Sequence, residues 1–304
     1  MSPGRYRCTV LLCLSVFAFL AAGCGAGERT DAIGRPATVA GGGFDGARAF
    51  ADLAEQVDIG PRPTGSKAAA ATAMLIDRKL KEAGAKEVQI QFPLNNVVAT
   101  LPGSKPGYIV VGAHYDTKDS IPGFVGANDG ASGVAVVLEL VRSLPRPLPG
   151  PSVAIALFDG EEAHDDLDFA KNGKRGSTQY VDFAEREAQA TPPIDEIRAM
   201  VLLDMIGDCD LQVPLEPNSG PALYQRFADA DPDVFSGTTT PIDDDHVPFV
   251  DRGVAALDVI DFTYGSAQSP GPYWHTAEDT LDKVCPESLD AVGEAALDVI
   301  PAIR

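Results

Sequence analysis

Four apolar runs of the sequence end in acidic or histidine side chains, whose types and positions can support chemistry. These endings are His114-Tyr115-Asp116, Asp159-Gly160-Glu161-Glu162, Asp204, and Asp258 with Asp261. A single acid after a strand usually makes a turn or caps a helix. Several such endings together, with His275 later in the chain, are typical of a functional cluster.

Five residues in and beside these runs have the composition of a catalytic zinc site. They supply two imidazoles and three carboxylates, with no thiolate: His114, Asp129, Glu162, Asp204 and His275. Structural zinc sites favour cysteine, whereas catalytic sites combine histidine with carboxylates and keep a position open. The sequence therefore predicts catalytic zinc, with one ion or two.

Three neighbouring acids have predicted roles around the metal. Asp116 follows the first histidine by two residues, and we expect its carboxylate to hold the imidazole nitrogen that does not bind metal. Asp129 is predicted to open a helix that continues to Leu144, where the positive helix end stabilises its charge. Because neighbouring side chains at a strand end point in different directions, Glu162 can bind metal while Glu161 stays free for proton transfer.

Strands and helices of an alternating domain must bring these residues together. Apolar runs that suit strands buried on both faces occupy Tyr108–Ala113, Ser152–Phe158, Ala199–Leu203 and Val254–Ile260. Helical patterns occupy Ser66–Ala83, Gly130–Leu144 and Leu289–Ile303. This alternation predicts an α/β sheet covered on both faces, with a ligand crevice at the carboxyl ends of its strands. The sequence has no internal repeat and no sign of a second domain.

The composition excludes several classes of protein. The chain has 304 residues, of which 45% are hydrophobic and 22% are charged, as in ordinary soluble domains. A disordered, collagen-like or multi-span membrane protein is therefore excluded. Asp and Glu number 44 and Lys and Arg number 24, giving a formal net charge of −20. Because such a surface repels phosphate, nucleic acid is excluded as the expected partner.

The N-terminal residues have the layout of an export signal. Arg5 and Arg7 precede an apolar run that is too short to span a bilayer comfortably. Small residues before Cys24 resemble a bacterial lipoprotein signal, so we expect loss of residues 1–23 and a lipid on Cys24. An ordinary cleaved signal is the alternative. Residues 24–43 are predicted to be a flexible tether, so the domain at residues 44–304 contacts the membrane of the cell envelope only through the lipid.

Two cysteines, Cys209 and Cys285, remain in the predicted domain. In an oxidising compartment these two residues can pair. Two separate, small buried residues are the favoured interpretation. Their spacing fits neither a metal-binding knuckle nor a redox pair.

Two further histidines have plainer interpretations. His164 lies in an acidic stretch and is predicted to be at the surface. His246 follows three aspartates and precedes Val-Pro-Phe, so we expect it to hydrogen-bond inside a pocket wall.

Five segments resemble, in order and spacing, motifs of the zinc-dependent aminopeptidase superfamily, which includes the animal-type glutaminyl cyclases. The segments are GAHYDTK, GANDGASG, FDGEE, LLDMIGD and YWHTAEDT. GPRPTGS, at residues 60–66, is similar to a motif near the start of the family's domain. The resemblance covers residues 44–304 and implies a three-layer α/β/α sandwich around a mixed, mostly parallel sheet.

Within the superfamily, the sequence is more similar to the cyclases. Ile242–Phe249, followed by Arg252-Gly253-Val254, resembles the cyclase segment that closes the pocket. Trp274 matches an indole that lines the glutamine pocket of the cyclases. Asp258 is a departure, because the animal cyclases carry histidine there. The stretch after Glu162 is also more acidic than the resemblance implies.

The cyclase resemblance implies an enzyme that converts the N-terminal Gln of peptides to pyroglutamate. It implies one zinc ion with three ligands: Asp129, Glu162 and His275. Glu161 then moves the proton, while Asp204 and Asp244 complete a hydrogen-bonded network of carboxylates.

Two alternatives remain open. In a di-zinc aminopeptidase, His114 and Asp204 bind a second zinc bridged by Asp129, since paired metals suit the activation of water for peptide hydrolysis. A non-catalytic binding module predicts eroded ligand positions, and the sequence has lost none of the five. The oligomeric state is open.

Overall fold

A computed structural model describes residues 43–165, 167–266 and 268–304. In these residues the helices are α1 (Gly46–Ile59), α2 (Lys67–Glu82), α3 (Ser132–Ser143), α4 (Phe169–Asn172), α5 (Arg175–Glu185), α6 (Pro221–Ala230), α7 (Val247–Val250) and α8 (Pro286–Val299). The strands are β1 (Lys86–Ile90), β2 (Val97–Leu101), β3 (Tyr108–His114), β4 (Ser152–Phe158), β5 (Ile197–Asp204) and β6 (Ala256–Ile260). Short 3₁₀ turns at Ile194–Glu196, Leu281–Lys283 and Ile300–Ala302 complete the pattern.

The strands form one mixed sheet in the order β1-β2-β4-β3-β5-β6. β4, β3, β5 and β6 run parallel to one another, whereas β2 is antiparallel to both β1 and β4. Side chains alternate between the two faces of each strand. In β3, for example, Val111 packs into one core layer and Val110 into the other. The predicted three-layer α/β/α sandwich is therefore confirmed.

The two helical layers differ in size. The larger core joins one face of the sheet to α1, α2, α3, α6 and α8. The smaller core joins the opposite face to α5 and α7, where Phe158, Tyr180 and Phe249 pack together. Because helices cover both faces of the sheet, the central strands are apolar on both sides and do not alternate between apolar and polar residues.

The chain adds strands to the sheet first on one side of β3 and then on the other, and this change of side creates the crevice. From β3 the chain crosses through α3 to β4, and from β4 it crosses through α5, on the other face, to β5 on the far side of β3. Such a switch point opens a gap between loops at the carboxyl ends of the strands. His114 ends β3 and Asp204 ends β5, and β4 is followed at once by Asp159–Glu162. The predicted crevice is thus formed by these three strand ends.

The predicted helix start at Asp129 is wrong. Helix α3 begins at Ser132, and Asp129 lies two residues before the N-cap Ala131. Gly130 separates them with φ of +102°, and a Cβ there would lie 2.7 Å from the Asp116 carbonyl oxygen. A left-handed residue interrupts helical geometry, so Asp129 belongs to the loop rather than to the helix.

The favoured interpretation of the two cysteines is also wrong. Cys209 and Cys285 form a disulfide, with their Cα atoms 4.9 Å apart. The amide of Cys285 donates to the Gly207 carbonyl, so the backbone after β5 and the backbone before α8 already run side by side. The two cysteines are 76 residues apart in the sequence, so only the tertiary fold brings them together.

The export signal at residues 1–23, Cys24 and the tether up to residue 42 lie outside the described residues. None of the helices that the structure describes is long and apolar enough to cross a membrane.

Candidate metal centre and active site

Two groups of potential metal ligands meet at the carboxyl end of the sheet, and Asp129 belongs to both. We call Asp129, Glu162 and His275 the outer group, and His114, Asp129 and Asp204 the inner group. In each group the ligand atoms lie within 4.8 Å of one another. The five residues predicted as metal ligands are therefore brought together by the fold.

The outer group has the geometry and chemistry expected for zinc. His275 Nε2 lies 3.0 Å from Glu162 Oε1 and 3.5 Å from Asp129 Oδ2. Asp129 Oδ2 and Glu162 Oε2 are buried with no hydrogen-bond donor among the described residues. Buried, unpaired carboxylate oxygens are costly unless a cation occupies the space between them. An imidazole with carboxylates is also a donor set that zinc prefers, so these residues fit the metal.

The inner group is tighter and more buried. His114 Nε2 lies 3.2 Å from both Asp129 Oδ1 and Asp204 Oδ1. On the other side of the ring, Asp116 Oδ1 is 3.6 Å from His114 Nδ1. The Asp116 carboxylate also accepts the amides of Glu161 and Glu162, at 3.1 and 3.2 Å. Asp116 therefore orients both the histidine of β3 and the backbone of the two glutamates.

Two site residues adopt strained backbone conformations. His275 has φ of +51°, and Met205, directly after Asp204, has φ of +48°. Left-handed conformations of bulky residues cost roughly 1–2 kcal/mol each and persist where the surroundings enforce them. Trp274 stacks on the His275 ring with centroids 4.0 Å apart, and Phe124 meets the same ring edge-on. These contacts fix the imidazole toward the carboxylates.

A buried network below the ligands joins three loops, and it was missed from the sequence. Asp279 accepts the amides of Asn128 and Asp129 at 2.8 and 3.0 Å, and the hydroxyl of Tyr264 at 2.7 Å. Asn128 Oδ1 in turn accepts the amide of Gly207, just after β5. Asp279 lies four residues after His275, so one carboxylate couples the histidine's loop to that of Asp129. The only sequence signal was its place in YWHTAEDT.

Arg62, from the GPRPTGS segment, supports the site from beneath. Its guanidinium is fully buried and donates to the carbonyl oxygens of Tyr115, Val125 and Gly126. Burial lowers the pKa of Arg62 to about 10, although Asp279 and other nearby acids oppose this shift. The side chain therefore stays cationic at neutral pH and holds the loop that precedes Asp129.

Three buried acids lie behind the inner group. Burial, reinforced by Asp204, raises the pKa of Asp244 to about 7. Burial and the charge of Asp244 raise the pKa of Asp245 to about 8, against the hydrogen bond from Ser177. Burial and the same acids raise the pKa of Asp258 well above its usual range. At neutral pH Asp245 therefore holds a proton and Asp244 is partly protonated, so these carboxyl groups can donate hydrogen bonds to neighbouring carboxylates.

Glu161 has the environment of a proton carrier. Its carboxyl is nearly buried, and burial raises its pKa well above the usual value. The positive field of His114 opposes this shift, whereas the charges of Glu162 and Asp244 add to it. A carboxyl group with a raised pKa can both accept and return a proton near neutral pH.

His164 lies at the surface, as predicted, whereas His246, predicted in a pocket wall, is not among the described residues that line the pocket beside the outer group. His246 is fully buried, with Nε2 3.2 Å from Glu216 Oε2 and Nδ1 3.7 Å from Asp258 Oδ2. His164 is partly exposed and lies 2.9 Å from Asp119 through Nδ1. Asp258, which replaces a histidine of the animal cyclases, thus faces the buried imidazole of His246.

The outer group opens into a cavity of about 510 Å³. Its lining includes Glu161, Asp204, Asp244, Phe262 and Trp274 beside the ligands Asp129, Glu162 and His275. Phe262 meets Trp274 edge-to-face at 5.1 Å. Every residue predicted to act in catalysis or in substrate binding therefore lines one pocket. A cavity of this size suits a small molecule or the end of a peptide.

Comparisons with known proteins agree with this geometry. The glutaminyl-peptide cyclotransferase of Boiga irregularis is 29% identical over 240 residues, covering 66% of this chain. The chain spans 63% of that relative's length. Among solved structures, an Acidobacteriales bacterium glutaminyl cyclase is 32% identical with a TM-score of 0.76, covering 88% of this chain and 98% of the other.

The same fold occurs in a peptidase. A Zn-dependent exopeptidase from Parabacteroides distasonis is 25% identical with a TM-score of 0.74, covering 85% of this chain and 98% of the other. The family model of peptidase family M28 matches residues 96–300, which include all the ligands of both groups. This chain belongs to peptidase family M28.

Proposed function

We propose that the protein is a zinc-dependent glutaminyl-peptide cyclotransferase, which converts the N-terminal Gln of peptides to pyroglutamate and releases ammonia. The contrast between the two ligand groups carries the proposal. The outer group opens into a pocket walled by Trp274, whereas His114 of the inner group is buried among aspartates, and that group reaches the pocket through Asp204 and the shared Asp129. Relatives and structural neighbours with this name support the same activity.

One zinc ion is assigned to Asp129, Glu162 and His275. When bound, it polarises the side-chain amide of the substrate and stabilises negative charge on its oxygen. Trp274, fixed against His275, provides an apolar wall for the glutamine side chain. The pocket thus brings the substrate's own amine next to its own amide, which removes much of the entropic barrier to ring closure.

Glu161 is assigned the proton transfers. Its carboxylate takes a proton from the substrate's α-ammonium group, and the freed amine attacks the side-chain amide carbon. A new C–N bond closes the five-membered ring, and the bond to the amide nitrogen breaks. Glu161 returns the proton to that nitrogen, which leaves as ammonia. The ring nitrogen gives up its remaining extra proton, which the released ammonia takes up as ammonium. The raised pKa of Glu161 suits this exchange, because burial strengthens the affinity of its carboxylate for the proton that it must take up.

Asp204 and Asp244 are assigned a supporting role in this reaction. Both line the pocket beside Glu161, and the charge of Asp204 contributes to the raised pKa of Asp244. A proton held between such carboxyl groups keeps their net charge low. The pair can then orient Glu161 and the substrate's ammonium group by hydrogen bonds.

The second candidate is a di-zinc aminopeptidase. The intact inner group favours it, because His114, Asp129 and Asp204 have ligand atoms within 4.8 Å of one another. With two metals, Glu161 would instead take a proton from an attacking water molecule.

The deciding experiment is zinc stoichiometry on purified protein, combined with turnover of a Gln-peptide and of a leucine anilide. A cyclase with one zinc site releases ammonia from the Gln-peptide and leaves the anilide intact. Two zinc ions per chain, with hydrolysis of the anilide and no ammonia release, would establish the aminopeptidase instead.

Zinc dependence has its own control. Chelation followed by readdition of one equivalent of zinc should remove and then restore ammonia release. If activity survives complete removal of zinc, the metal assignment is wrong.

We also propose that residues 1–23 are removed, that Cys24 carries lipid, and that residues 24–43 tether the domain to a bacterial membrane. The basic, apolar and small-residue order of this segment supports the proposal. A Cys24→Ala variant should move from the membrane fraction to the aqueous fraction. Unchanged membrane fractionation would contradict lipidation.

A further inference from the structure

The pocket has a floor and a mouth that differ in exposure. Asp129, Glu162 and Asp244 lie at the floor and are buried. At the mouth, Leu167 is 53% exposed and the Asp243 side chain is 43% exposed. Leu167 and Phe169 belong to the stretch between Glu162 and α5, which has no role so far in the proposed reaction.

Phe169 is held rigidly at this mouth. Lys174 Nζ lies over the Phe169 ring at 4.4 Å, and the same nitrogen forms an ion pair with Asp243 at 2.6 Å. The ring also packs against Gly173, where an added Cβ would lie 2.5 Å from the ring atom Cε2. Lys174 and Gly173 therefore fix the ring, and the ion pair joins this wall to the segment that carries Asp244.

The pocket is larger than one side chain requires. Its volume of about 510 Å³ falls in the range of sites that hold whole small ligands. In the proposed reaction the N-terminal Gln must reach the outer group and Glu161 at the floor. The next residue of the peptide then lies at the mouth, where Leu167 and Phe169 line the cavity.

The chemistry of this mouth favours one class of side chain. Leu167 exposes an unusually large fraction of an apolar side chain, and burying such surface on binding is favourable. Of the exposed acids that flank it in the chain, Asp168 pairs with Lys171 at 3.0 Å, so Asp165 is the acid whose charge disfavours a negatively charged side chain here.

We propose that Leu167 and Phe169 form a second subsite, which binds a large apolar side chain at the position after the N-terminal Gln. This inference rests on the proposed cyclase activity and names the substrates that the enzyme prefers. The subsite acts on binding and lies apart from the reacting atoms, so its effect appears mainly in KM.

The test is ammonia release from three dipeptide amides: Gln-Phe, Gln-Gly and Gln-Glu. The parent protein should have a kcat/KM for Gln-Phe about tenfold above that for Gln-Gly, because partial burial of the ring contributes on this order. Gln-Glu should be the poorest substrate. Equal kcat/KM values for the three would overturn the subsite while leaving the cyclase activity established. Absence of ammonia from all three would overturn the activity, and the subsite with it.

Two variants assign the preference to the residues. Leu167→Asp should lower kcat/KM for Gln-Phe about tenfold and leave Gln-Gly nearly unchanged. Gly173→Ala, at a backbone φ of −83° that alanine tolerates, displaces the Phe169 ring and should reduce the same preference.

The matched control is Met74→Asp, because Met74 is 62% exposed on α2 and does not line the pocket. It should keep the full preference for Gln-Phe. If Leu167→Asp and Gly173→Ala both retain the parent's preference, or if Met74→Asp loses it equally, the subsite is refuted.

Discussion

The outer and inner groups share Asp129 and lie side by side, yet their surroundings differ. In the outer group, the His275 side chain is 22% exposed and faces the pocket beside Trp274. In the inner group, His114 is buried between three aspartates, with Asp244, Asp245 and Asp258 farther back. His275 is open to a substrate, whereas His114 is enclosed by acids, and Asp204 is the inner-group residue that also lines the pocket.

This difference in surroundings predicts the number of bound zinc ions more directly than the types of ligand do. A cluster of buried carboxyl groups must be neutralised, either by a cation or by protons. Asp245, with a pKa of about 8, holds a proton at neutral pH, and Asp244, with a pKa of about 7, is partly protonated. These protons lower the charge around the inner group and allow it to persist without metal. In the outer group, Lys118 Nζ lies 3.8 Å from Glu162 Oε2, and we expect zinc to supply the remaining positive charge. Variants of the two groups and of the acids around them can test this contrast.

The largest effect is expected from replacing one histidine of each group. His275→Ala should lose both its zinc and all measurable turnover, because the outer group then has two carboxylates alone. His114→Ala should retain its zinc, with turnover lowered about 10- to 100-fold through loss of support to Asp129. The zinc content and the turnover rate, measured on both variants, test this assignment. Full zinc in His275→Ala, or loss of all zinc in His114→Ala, would reverse the assignment of the two groups.

A second effect separates proton transfer from metal binding at adjacent residues. Glu161→Gln keeps size and polarity but cannot carry a proton, so turnover should fall by about 10²–10⁴-fold. Its zinc content should equal the parent's. Glu162→Gln is the matched partner and should lose zinc, because this side chain lies 3.0 Å from His275 in the outer group. If the two variants exchange these phenotypes, the roles of the glutamates are interchanged.

The smallest effect concerns the acids behind the inner group. The pKa of Asp245 is about 8 in the folded protein against 3.8 as the ordinary value, so the folded state binds the extra proton. Stability must then fall as pH rises from about 4 to about 8. Asp245→Asn cannot ionise, and its Oδ1 can still accept the hydrogen bond from Ser177.

Between pH 6 and pH 9, the parent should therefore lose about 3 kcal/mol more unfolding free energy than Asp245→Asn. Denaturant titrations at the two pH values measure this difference. Asp298→Asn, which removes an exposed acid of α8, is the control and should follow the parent. A pH dependence shared by all three proteins would show that Asp245 is ionised throughout.

The metal ligands could be predicted from the sequence because their positions follow a simple topological rule. Parallel strands buried on both faces end at one edge, so His114, Glu162 and Asp204 had to meet there. The strands were recognisable because their runs are almost wholly apolar, with Asp258 as the one polar interruption, in β6. β1 and β2 were missed. β1 is mostly polar and partly exposed, whereas β2 is a short run of five residues that is largely buried.

The contacts that hold the metal ligands in place could not be predicted from the sequence. Asp279 and Arg62 act on main-chain amides and carbonyls, and a residue pattern carries no information about those partners. The start of α3 depends on one left-handed glycine, Gly130. Pairing of Cys209 with Cys285 depends on the tertiary approach of two loops. Residue types therefore predicted what the site contains, while the contacts that hold it came only from the fold.

The disulfide has a consequence for how the protein is handled. The bond closes a loop of 76 residues, which contains α6, α7, β6, Asp244 and His275. A loop of this length restricts the unfolded chain by about 4 kcal/mol of free energy in the chain-entropy model. That amount is a large part of the net stability of a typical domain. Material produced or stored with strong reductant should therefore melt at lower temperature.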